Sequence, residues 1–470
     1  MKHQFHPTVV REYDIRGIIG ETLGADDARD WPGFRHLAAR RGRLHRGGGL
    51  CTAGSARRCS NTRWFEGLTA SGCDVVRIGM GATPMLYYAE ASDEEVDGGI
   101  QITGSHNPPE LQWLQDGVSG ASVLRRRYPE ARGTGSRRRI RQRHGQRHHA
   151  RHPWRVCRAP ARRPRRDRSR QARRAAASAG MPGMRRRARL EALAARLPGE
   201  HHLLFTEVDG HFPNHHPDPT VEANLADLRA LVADKNLDFG VAFDGDGDRI
   251  GAIDGTGRVI WGDQLLMIYA EDLLKNRPHS TIIADVKASR ALFDRVAELG
   301  GEPLMWKTGH SLIKSKMKET GAPLAGEMSG HVFFADEYYG FDDALYAGYG
   351  CSRLRPGSAN RYRAARAIPP MLNTPELRFQ VDEVRKFAAM AEIAGRLITN
   401  PGPEVESVNA TSGVRVNTAD GWWLVRASNT QDVLVARAES ETPEGLERLL
   451  AQIDAQLAAS GLERGKSVGH

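Results

Sequence analysis

Short apolar segments alternate with helical patterns along most of this chain. Apolar runs bounded by glycine or polar residues are typical of β-strands. They predict strands at residues 98–102, 237–243, 281–285, 422–425 and 433–436, and residues 311–319 predict a helix. This alternation predicts an α/β fold. Because a chain of 470 residues exceeds what one hydrophobic core usually serves, we expect several domains.

The carboxyl-terminal part has a different pattern. Thr442 followed by Pro443 predicts the start of a helix, because proline is favoured at the first helical position. The apolar residues that follow recur on one helical face: Leu446, Leu449, Leu450, Ile453 and Leu457. Together with the two strands before it, this helix predicts a small α+β domain at the carboxyl end.

Three aspartates directly follow the second predicted strand. Asp244, Asp246 and Asp248 alternate with glycines, so their carboxylates can turn toward one hard divalent cation. A solvated acidic turn is the alternative. An EF-hand calcium loop is excluded, because its sixth and twelfth positions require glycine and glutamate but hold Arg249 and Gly255. Since open α/β sheets bind ligands beyond the carboxyl ends of strands, the cluster favours a metal-phosphate site, and few other ligands favour Mg²⁺.

A hydroxyl and an imidazole follow the first predicted strand. Ser105 and His106 lie in the sequence Thr-Gly-Ser-His-Asn-Pro-Pro-Glu of residues 103–110, on a turn stiffened by two prolines. This segment is either a tight turn and nothing more, or the carrier of a phosphoryl group whose charge a nearby cation would hold. The second interpretation links this loop to the aspartates.

Two further loops carry groups that suit a phosphorylated sugar. Residues 326–331 place Glu327, Ser329 and His331 between glycines, which equips them to hydrogen-bond several sugar hydroxyls. Residues 426–430, Arg-Ala-Ser-Asn-Thr, lie between two predicted strands and offer the donors that a phosphate cradle requires. Each segment alone is also compatible with an ordinary polar loop.

In this order, the four loops resemble those of the α-D-phosphohexomutase superfamily, and within it the bacterial phosphomannomutase/phosphoglucomutase type. Residues 103–109 resemble its phosphoserine loop, 244–249 its metal loop, 326–331 its sugar-recognition loop and 426–430 its phosphate loop. Shorter matches lie at residues 12–17, 207–219, 285–289 and 307–311. The resemblance implies three similar mixed α/β domains and a C-terminal α+β domain around a central cleft.

The resemblance also implies a mechanism. Phosphorylated Ser105 would give its phosphoryl group to a mannose or glucose 1- or 6-phosphate, the hexose 1,6-bisphosphate would turn around, and the other phosphate would return to Ser105. Mg²⁺ on Ser105, Asp244, Asp246 and Asp248 would neutralise charge on the transferring oxygens, since such transfer depends on positioning and electrostatics. By the same resemblance the catalytic residues are Ser105, His106, Arg16 and His331, and the substrate-binding residues are Glu327, Ser329, Arg426, Ser428, Asn429, Thr430, His310, Lys287 and Arg249.

The charge distribution departs from this pattern. Residues 125–189 contain 25 Arg, no Lys and two acids, a local charge of +23, whereas the remaining chain carries −13. A basic nucleic-acid-binding arm is the ordinary interpretation of such a run. Yet only Tyr128 and Trp154 could stack on bases there. A lysine-free sequence rich in Arg, Ala, Pro and Gly is also what results when a GC-rich gene is translated out of frame.

The genetic code allows this second interpretation to be examined. The family expects Asn-Gly-x-Lys shortly after the phosphoserine loop, where this chain has Leu-Gln-Trp-Leu-Gln-Asp at residues 111–116. Reading the possible codons of these residues one base later permits Tyr-Asn-Gly-Phe-Lys. We therefore hypothesise that one extra base precedes the codon of Leu111 and that the frame is restored near Leu190. If the chain is translated as written, we expect lost strands on both sides of Ser105, poor folding and little turnover.

Composition places two more suspect windows in the predicted domains. One spans about residues 29–64, where Arg/Gly-rich sequence replaces an expected strand and turn, and the other spans about residues 348–367, where polar, Arg-rich sequence replaces an expected helix. Four of the five cysteines, Cys51, Cys59, Cys157 and Cys351, lie in suspect windows, and no spacing indicates a disulfide or metal framework. The predicted domains are 1–150 (phosphoserine loop), 151–258 (metal loop), 259–367 (sugar recognition) and 368–470 (phosphate binding).

The sequence leaves two alternative functions open, and it also predicts the location, oligomeric state, cofactors and partners of the protein. Phosphoglucosamine mutase is a close alternative, which Gly247 and Met328 disfavour. An inactive or nucleic-acid-binding basic protein is the alternative from another class. Without an apolar leader or a membrane-spanning run, we expect a cytoplasmic monomer or weak dimer with Mg²⁺ and a hexose 1,6-bisphosphate as cofactors, a hexose phosphate as substrate, and neither a membrane nor a nucleic-acid partner.

Overall fold

In the computed structural model, the described residues are 14–18, 48–52, 75–92, 96, 98–105, 111–117, 147–149, 174–179, 188–197, 199–207, 209–353, 371–428 and 432–464. All structural statements below concern this part of the chain. The chain divides into two compact units. The first comprises Met1–Gly262 and Ser329–Tyr362, and the second comprises Asp263–Met328 and Arg363–His470.

The first sheet of the first unit is mixed, and its strands lie in the order β1-β5-β4-β2-β3-β6. Strand β2 pairs in parallel with β3 and β4, whereas β5 is antiparallel to β4 and β1. Its strands and helix are β1 (Asp14–Ile18), β2 (Gly48–Thr52), β3 (Val75–Gly79), α1 (Thr83–Ser92), β4 (Gly98–Thr103), β5 (Leu111–Gly117) and β6 (Arg147–His149). All six residues of β4 are buried, which confirms the predicted strand before Ser105.

The second sheet has the order β11-β10-β9-β7-β8. Its elements are β7 (Arg174–Ala179), α2 (Ala188–Ala194), β8 (Glu200–Leu204), α3 (Ala226–Asp234), β9 (Phe239–Phe243), β10 (Ile250–Asp254) and β11 (Val259–Ile260), with a 3₁₀ turn at Glu222–Leu225. Strand β9 is entirely buried and pairs with β10 so that Phe243 lies opposite Ile250. The predicted strand is therefore confirmed, and the aspartates occupy the turn of a β-hairpin.

The second unit begins with a helix and parallel strands. Strand β12 pairs in parallel with both β13 and β14. The elements are α4 (Gly262–Leu274), β12 (Thr281–Asp285), α5 (Arg290–Glu298), β13 (Glu302–Trp306), α6 (His310–Thr320) and β14 (Leu324–Gly326). The predicted strand 281–285 and helix 311–319 are confirmed. Two further elements, β15 (Val332–Phe334) and α7 (Ala344–Arg353), belong to the first unit.

The carboxyl-terminal part of the second unit is an antiparallel sheet with helices packed on it. The strand order is β16-β21-β20-β19-β18, and β17 also pairs with β21. The elements are β16 (Leu372–Asn373), β17 (Leu377–Gln380), α8 (Glu383–Thr399), β18 (Val405–Asn409), β19 (Val414–Thr418), β20 (Gly421–Ala427), β21 (Val433–Ser440) and α9 (Pro443–Ala458). This arrangement matches the predicted α+β domain.

Helix α9 begins and packs as its sequence predicts. The hydroxyl of Thr442 accepts a hydrogen bond from the Gly445 N–H at 3.1 Å, which satisfies a backbone donor of the first turn. Leu449, Ile453 and Leu457 are fully buried against the sheet. Burial of this face stabilises the domain by roughly 1.5–3 kcal/mol for each such side chain.

The expected loss of strands in the suspect windows is wrong for the described residues. Strands β2 and β5 lie on either side of β4, and β7 lies beside β9. Helix α7 likewise extends into the suspect window at about residues 348–367. The physical reason is that a β-ladder is made by backbone N–H and C=O groups, which every residue except proline supplies regardless of its side chain.

None of the helices in the described part of the chain combines the length and apolar character that a membrane crossing requires.

Candidate active site

The turn between β9 and β10 brings three buried carboxylates together. Carboxylate oxygens of Asp244, Asp246 and Asp248 lie within 4.8 Å of one another. The turn is held by Asp244 Oδ1, which accepts hydrogen bonds from the backbone N–H groups of Asp248 and Arg249 at 3.1 and 3.2 Å. Gly247 has a φ of +73°, a conformation that glycine adopts without steric cost. The alternation of aspartate and glycine thus makes the turn that the sequence predicts.

These carboxylates fit a metal ion. Asp246 Oδ1 and Asp248 Oδ1 are buried and have no hydrogen-bond partner, which is costly for charged oxygens. Burial, followed by the charge of Asp246, raises the pKa of Asp244 to about 7. Burial and then the charges of Asp246 and Asp244 raise the pKa of Asp248 well above its usual range. A divalent cation would satisfy these oxygens and remove the repulsion, and an all-oxygen set suits a hard cation.

Ser105 lies beside this cluster. Its Oγ donates a hydrogen bond to Asp244 Oδ2 at 3.1 Å, and its backbone N–H donates to Thr103 Oγ1 at 2.8 Å. Ser105 has a φ of +47°, which is uncommon for a residue with a side chain and is often found at functional sites. The structure therefore places the predicted phosphoryl carrier in direct contact with Asp244, one of the predicted metal ligands.

A second pair of side chains lies next to the turn that holds the three aspartates (residues 244–249), which we call the metal turn. Gly330 has a φ of +93°, and a Cβ there would collide with the backbone oxygen of Ile250, so glycine allows His331 to approach the hairpin. The Nε of Arg249 donates to His331 Nε2 at 3.1 Å, and Asp342 Oδ2 lies 3.0 Å from His331 Nδ1. Because the Nε of arginine always carries hydrogen, Nε2 of His331 is the acceptor in this contact.

In the second unit, one aspartate fixes two loops. Asp285 is fully buried at the end of β12. Its Oδ1 accepts a hydrogen bond from the Met328 N–H at 3.1 Å, and its Oδ2 accepts one from the Thr308 hydroxyl at 2.9 Å. Glu327, buried just after β14, accepts a hydrogen bond from the Gly309 N–H at 2.5 Å. These contacts hold the carboxylate of Glu327 beside the start of helix α6, where His310 lies.

The buried Lys287 ammonium has an acidic partner. Its Nζ lies 3.5 Å from Glu376 Oε1, and Arg378 Nη2 donates to Glu376 Oε2 at 2.6 Å. Burial alone would raise the pKa of Glu376, but the opposing charges of Lys287 and Arg378 lower it to about 2. The second unit therefore concentrates fixed positive charge beside an ionised carboxylate.

Arg415 holds the backbone on both sides of Lys287. Its Nη1 donates to the carbonyl oxygens of Val286 and Ala288 at 2.8 and 2.7 Å. Its guanidinium carbon lies 3.7 Å from the centre of the Trp422 ring, a cation–π contact. Burial lowers the pKa of Arg415 to about 9. Arg415 is thus a positioning residue for the Lys287 loop.

The predicted phosphate loop begins at the end of β20. Arg426 and Ser428 are buried, and the Ser428 N–H donates to the carbonyl oxygen of Val433 at 3.0 Å. Gly413 has a φ of +79°, and a Cβ there would collide with the Arg426 backbone. The bend beside Arg426 therefore requires glycine.

Comparisons with known proteins match this architecture domain by domain. Four phosphoglucomutase/phosphomannomutase domain families match in order: alpha/beta/alpha domain I at residues 8–114, domain II at 179–257, domain III at 261–354 and the C-terminal domain at 376–456. The phosphomannomutase/phosphoglucomutase of Pseudomonas aeruginosa is 39% identical, with 96% of both chains aligned. The chain belongs to the phosphoglucomutase/phosphomannomutase family.

Further relatives of this family agree. The phosphoglucomutase of Neisseria gonorrhoeae is 37% identical, with 94% of this chain and 95% of that protein aligned. A crystal structure of a phosphoglucomutase/phosphomannomutase family protein from Burkholderia thailandensis has a TM-score of 0.81 and 33% identity, covering 99% of this chain and 100% of that one. The predicted family and the predicted class of four α/β and α+β domains are confirmed.

The family matches leave residues 115–178 uncovered between domains I and II. This gap falls inside the region where we hypothesise a shifted reading frame. Sequencing the gene across the codon of Leu111 would test the hypothesis, and an unambiguous reading of the present frame would contradict it.

The structure locates most of the predicted phosphoglucomutase/phosphomannomutase site residues in two groups. Ser105, Asp244, Asp246, Asp248, Arg249, Ser329 and His331 lie in the first unit, and Lys287, His310, Glu327, Arg426 and Ser428 in the second. The predicted sugar-recognition loop is divided between the units after Met328. His106, Asn429, Thr430 and the side chain of Arg16 lie outside the described residues. The catalytic and binding roles of all these residues remain predictions.

Sequence reasoning missed several residues that position this family's loops. Asp285 had a usable signal, since it is the polar last residue of an apolar strand. Asp342 and Arg415 carried no local signal, because no short sequence pattern links Asp342 to His331 across the loop between them, and the Val286 partner of Arg415 lies 129 residues away. Such pairs follow from the tertiary fold.

A prediction follows from the charges around Glu376. A carboxylate whose pKa is lower in the folded than in the unfolded chain stabilises the fold above its unfolded pKa, and this stabilisation is lost as pH falls through the folded pKa. Glu376→Gln should therefore lower the free energy of unfolding at pH 7 by about 3 kcal/mol. Urea unfolding measured from pH 7 to pH 3 should show a weaker pH dependence below about pH 5 in the variant.

Glu404→Gln is a matched control, because this carboxylate is exposed. It should leave unfolding close to that of the parent chain at every pH. Equal pH profiles for Glu376→Gln and the parent would contradict the assignment of Glu376 as the ionised partner of Lys287.

Proposed function

We propose that this chain is a phosphohexomutase that interconverts the 1- and 6-phosphates of mannose and glucose through phosphorylated Ser105 and a hexose 1,6-bisphosphate. The observation that carries the proposal is the 3.1 Å contact between Ser105 Oγ and Asp244 Oδ2 within the three-aspartate cluster. A phosphoserine at this position would share a cation with the same carboxylates.

The residues of this chain would divide the reaction as follows. Asp244, Asp246 and Asp248 would hold Mg²⁺, which supplies charge neutralisation to the transferring phosphoryl oxygens. Ser105 Oγ would give up its proton toward Asp244 Oδ2, the acceptor of its hydrogen bond, as it attacks phosphorus, and the bond from phosphorus to the sugar oxygen would break. The sugar oxygen would then take up a proton, and in the reverse direction the attacking sugar hydroxyl would lose one.

His331 is suited to this proton exchange. Its Nε2 accepts a hydrogen bond from Arg249 in the present structure, and a sugar hydroxyl in place of Arg249 would meet the same lone pair. The carboxylate of Asp342, 3.0 Å from Nδ1, would stabilise the imidazolium that forms. Arg249 would then be released to a phosphate oxygen.

The second unit supplies groups for recognition. Glu327 would accept hydrogen bonds from sugar hydroxyls, with His310 and, from the first unit, Ser329 as further partners, and Lys287 would contact a phosphate. Arg426, Ser428, Asn429 and Thr430 would bind whichever phosphate is not reacting. Because these groups bind sugar hydroxyls and a phosphate without regard to which end reacts, they suit both orientations of a bisphosphate.

The relatives favour this function over the two alternatives. The proteins at 37–39% identity are named phosphomannomutase/phosphoglucomutase or phosphoglucomutase, which disfavours a phosphoglucosamine mutase. Nothing in the described residues favours an inactive basic protein, because the acidic cluster and Ser105 are intact and buried.

The experiment is a coupled assay of glucose 1-phosphate and mannose 1-phosphate conversion with Mg²⁺ and a trace of the 1,6-bisphosphate. Both the chain as written and a frame-corrected chain should be tested, and the phosphorylated peptide identified by mass spectrometry. We expect turnover and a phosphate on Ser105. RNA binding that falls steeply with salt, without turnover in either chain, would favour the nucleic-acid-binding alternative.

A further inference from the structure

The carboxylate of Asp246 has two differently placed oxygens. Its Oδ1 is buried without a hydrogen-bond partner. Its Oδ2 accepts hydrogen bonds from two threonine hydroxyls, Thr83 Oγ1 at 2.9 Å and Thr103 Oγ1 at 3.0 Å. A carboxylate can rotate about its Cβ–Cγ bond, so two donors on one oxygen define which oxygen is left for a metal ion.

Thr83 donates two hydrogen bonds to Asp246 in the metal turn. In addition to the hydroxyl contact, its backbone N–H donates to the backbone oxygen of Asp246 at 2.8 Å. Thr83 is the first residue of helix α1 and is fully buried. Its N–H is one of the helix-terminal donors that lack a partner within the helix. The start of α1 is therefore fixed to the backbone and side chain of the same aspartate.

Thr103 connects the metal turn to the serine. Its hydroxyl accepts the hydrogen bond from the Ser105 N–H at 2.8 Å and donates its own hydrogen to Asp246 Oδ2. A hydroxyl has one hydrogen and can both donate and accept, so the two contacts are compatible and share one oxygen. Ser105, with its φ of +47°, is thereby tied to a metal ligand through a single side chain.

We propose that Thr83 and Thr103 are positioning residues for the metal site. They orient Asp246 so that Oδ1 faces the cation, and Thr103 also fixes the backbone of Ser105 relative to that ligand. The inference rests on the proposed function only in naming Ser105 as the phosphoryl carrier. The orientation of Asp246 rests on the hydrogen bonds alone.

The alternative is that both threonines only fill space in the interior. Valine has nearly the shape of threonine and could fill the same volume, but each valine would remove one of the two hydroxyl donors to the buried Asp246 Oδ2, and a buried charged oxygen is destabilised when it loses a donor. Groups that orient metal ligands typically contribute 10- to 100-fold to metal affinity. The hydroxyls therefore have an effect that volume alone would not give.

The test is Mn²⁺ binding to the metal-free, dephosphorylated full-length protein, followed by electron paramagnetic resonance of the free ion. Thr83→Val and Thr103→Val should each weaken Mn²⁺ binding by at least about 10-fold. Thr83→Ser and Thr103→Ser keep the hydroxyl and should bind close to the parent chain. Thr256→Val is the matched control, since it removes a threonine–aspartate hydrogen bond of 2.5 Å at Asp254, away from the cluster.

A second measurement separates the two threonines. At saturating Mn²⁺, Thr103→Val should slow the phosphorylation of Ser105 by glucose 1,6-bisphosphate by about 10-fold or more, whereas Thr83→Val should not. In an Asp246→Asn background, Thr83→Val should have no further effect on Mn²⁺ binding. Alanine variants, which also lack the hydroxyl, answer the same question if a valine variant does not fold.

Valine variants that bind Mn²⁺ as tightly as the parent would overturn the inference. Serine variants as weak as the valine variants would also overturn it, because they would show that shape matters and the hydroxyl does not. Mn²⁺ binding needs no substrate, so a protein without mutase turnover could still confirm the orientation of Asp246. Conversely, turnover with unchanged Mn²⁺ binding in the variants would retain the proposed function and refute the role of the threonines.

Discussion

Ser105→Ala should reduce hexose phosphate conversion by a factor on the order of 10,000 or more, as expected when a covalent carrier is removed from a concerted set of groups. The loss follows because no other hydroxyl in the described residues is placed both 3.1 Å from Asp244 Oδ2 and on the strained turn after β4. Metal binding should survive, since the three carboxylates are unchanged. The variant should also show no phosphorylated peptide after incubation with glucose 1,6-bisphosphate.

Two measurements make this result specific. Ser280→Ala, which removes a surface serine whose hydroxyl donates only to the Arg277 carbonyl oxygen, should keep the parent turnover. Mn²⁺ binding by Ser105→Ala should stay near that of the dephosphorylated parent, so that a loss of turnover cannot be assigned to a lost metal. Full turnover in Ser105→Ala would mean that another residue carries the phosphoryl group.

The positions of the active-site loops could be predicted because each has a local cause. An apolar strand ends, and polar residues with glycine follow, which is where open α/β sheets place ligands. Strands β4 and β9 confirm this for Ser105 and the aspartates. Helix α9 was predictable for a similar reason, since its Thr-Pro start and the periodic apolar residues of its buried face all lie within one short segment of the sequence.

The supporting contacts could not be predicted in this way. Thr83 lies 163 residues before Asp246 in the sequence, and nothing in its own neighbourhood distinguishes it from an ordinary helix start. The partners of Arg415 are backbone carbonyl oxygens, which have no sequence signature at all. Contacts of this kind depend on how the sheets and helices pack after they have formed.

Composition was a poor guide to strand formation in the Arg-rich windows. Strand β7, Arg174–Ala179, pairs with both β8 and β9 despite a sequence of arginine, alanine and serine. Backbone hydrogen bonding explains the pairing, and alanine in a strand contributes little burial of its own. The backbone pairing of β7 with its neighbours therefore does not show how much this strand stabilises the fold.

The second large effect is the change in thermal stability when a predicted metal ligand is replaced. The sign of this change should depend on whether Mg²⁺ is bound. In the metal-free protein, burial and then the neighbouring charges of Asp246 and Asp244 raise the pKa of Asp248 well above its usual range. A carboxyl group whose pKa is higher in the folded chain destabilises the fold as pH rises above its unfolded pKa of about 4. Asp248→Asn removes that ionisation, so the metal-free variant should unfold at a higher temperature than the metal-free parent at pH 7.

With Mg²⁺ the order should reverse. The parent should gain about 2.7 kcal/mol of stability at a Mg²⁺ concentration 100 times its dissociation constant, whereas Asp248→Asn should gain much less and should lose about 1000-fold in turnover, equivalent to about 4 kcal/mol of charge stabilisation. Thermal unfolding with EDTA and with Mg²⁺ would show the crossing, and the exposed Asp234→Asn would serve as the unchanged control. Equal Mg²⁺ responses of Asp248→Asn and the parent would place the ion elsewhere, because a buried carboxylate that binds a cation cannot lose its charge without weakening that binding.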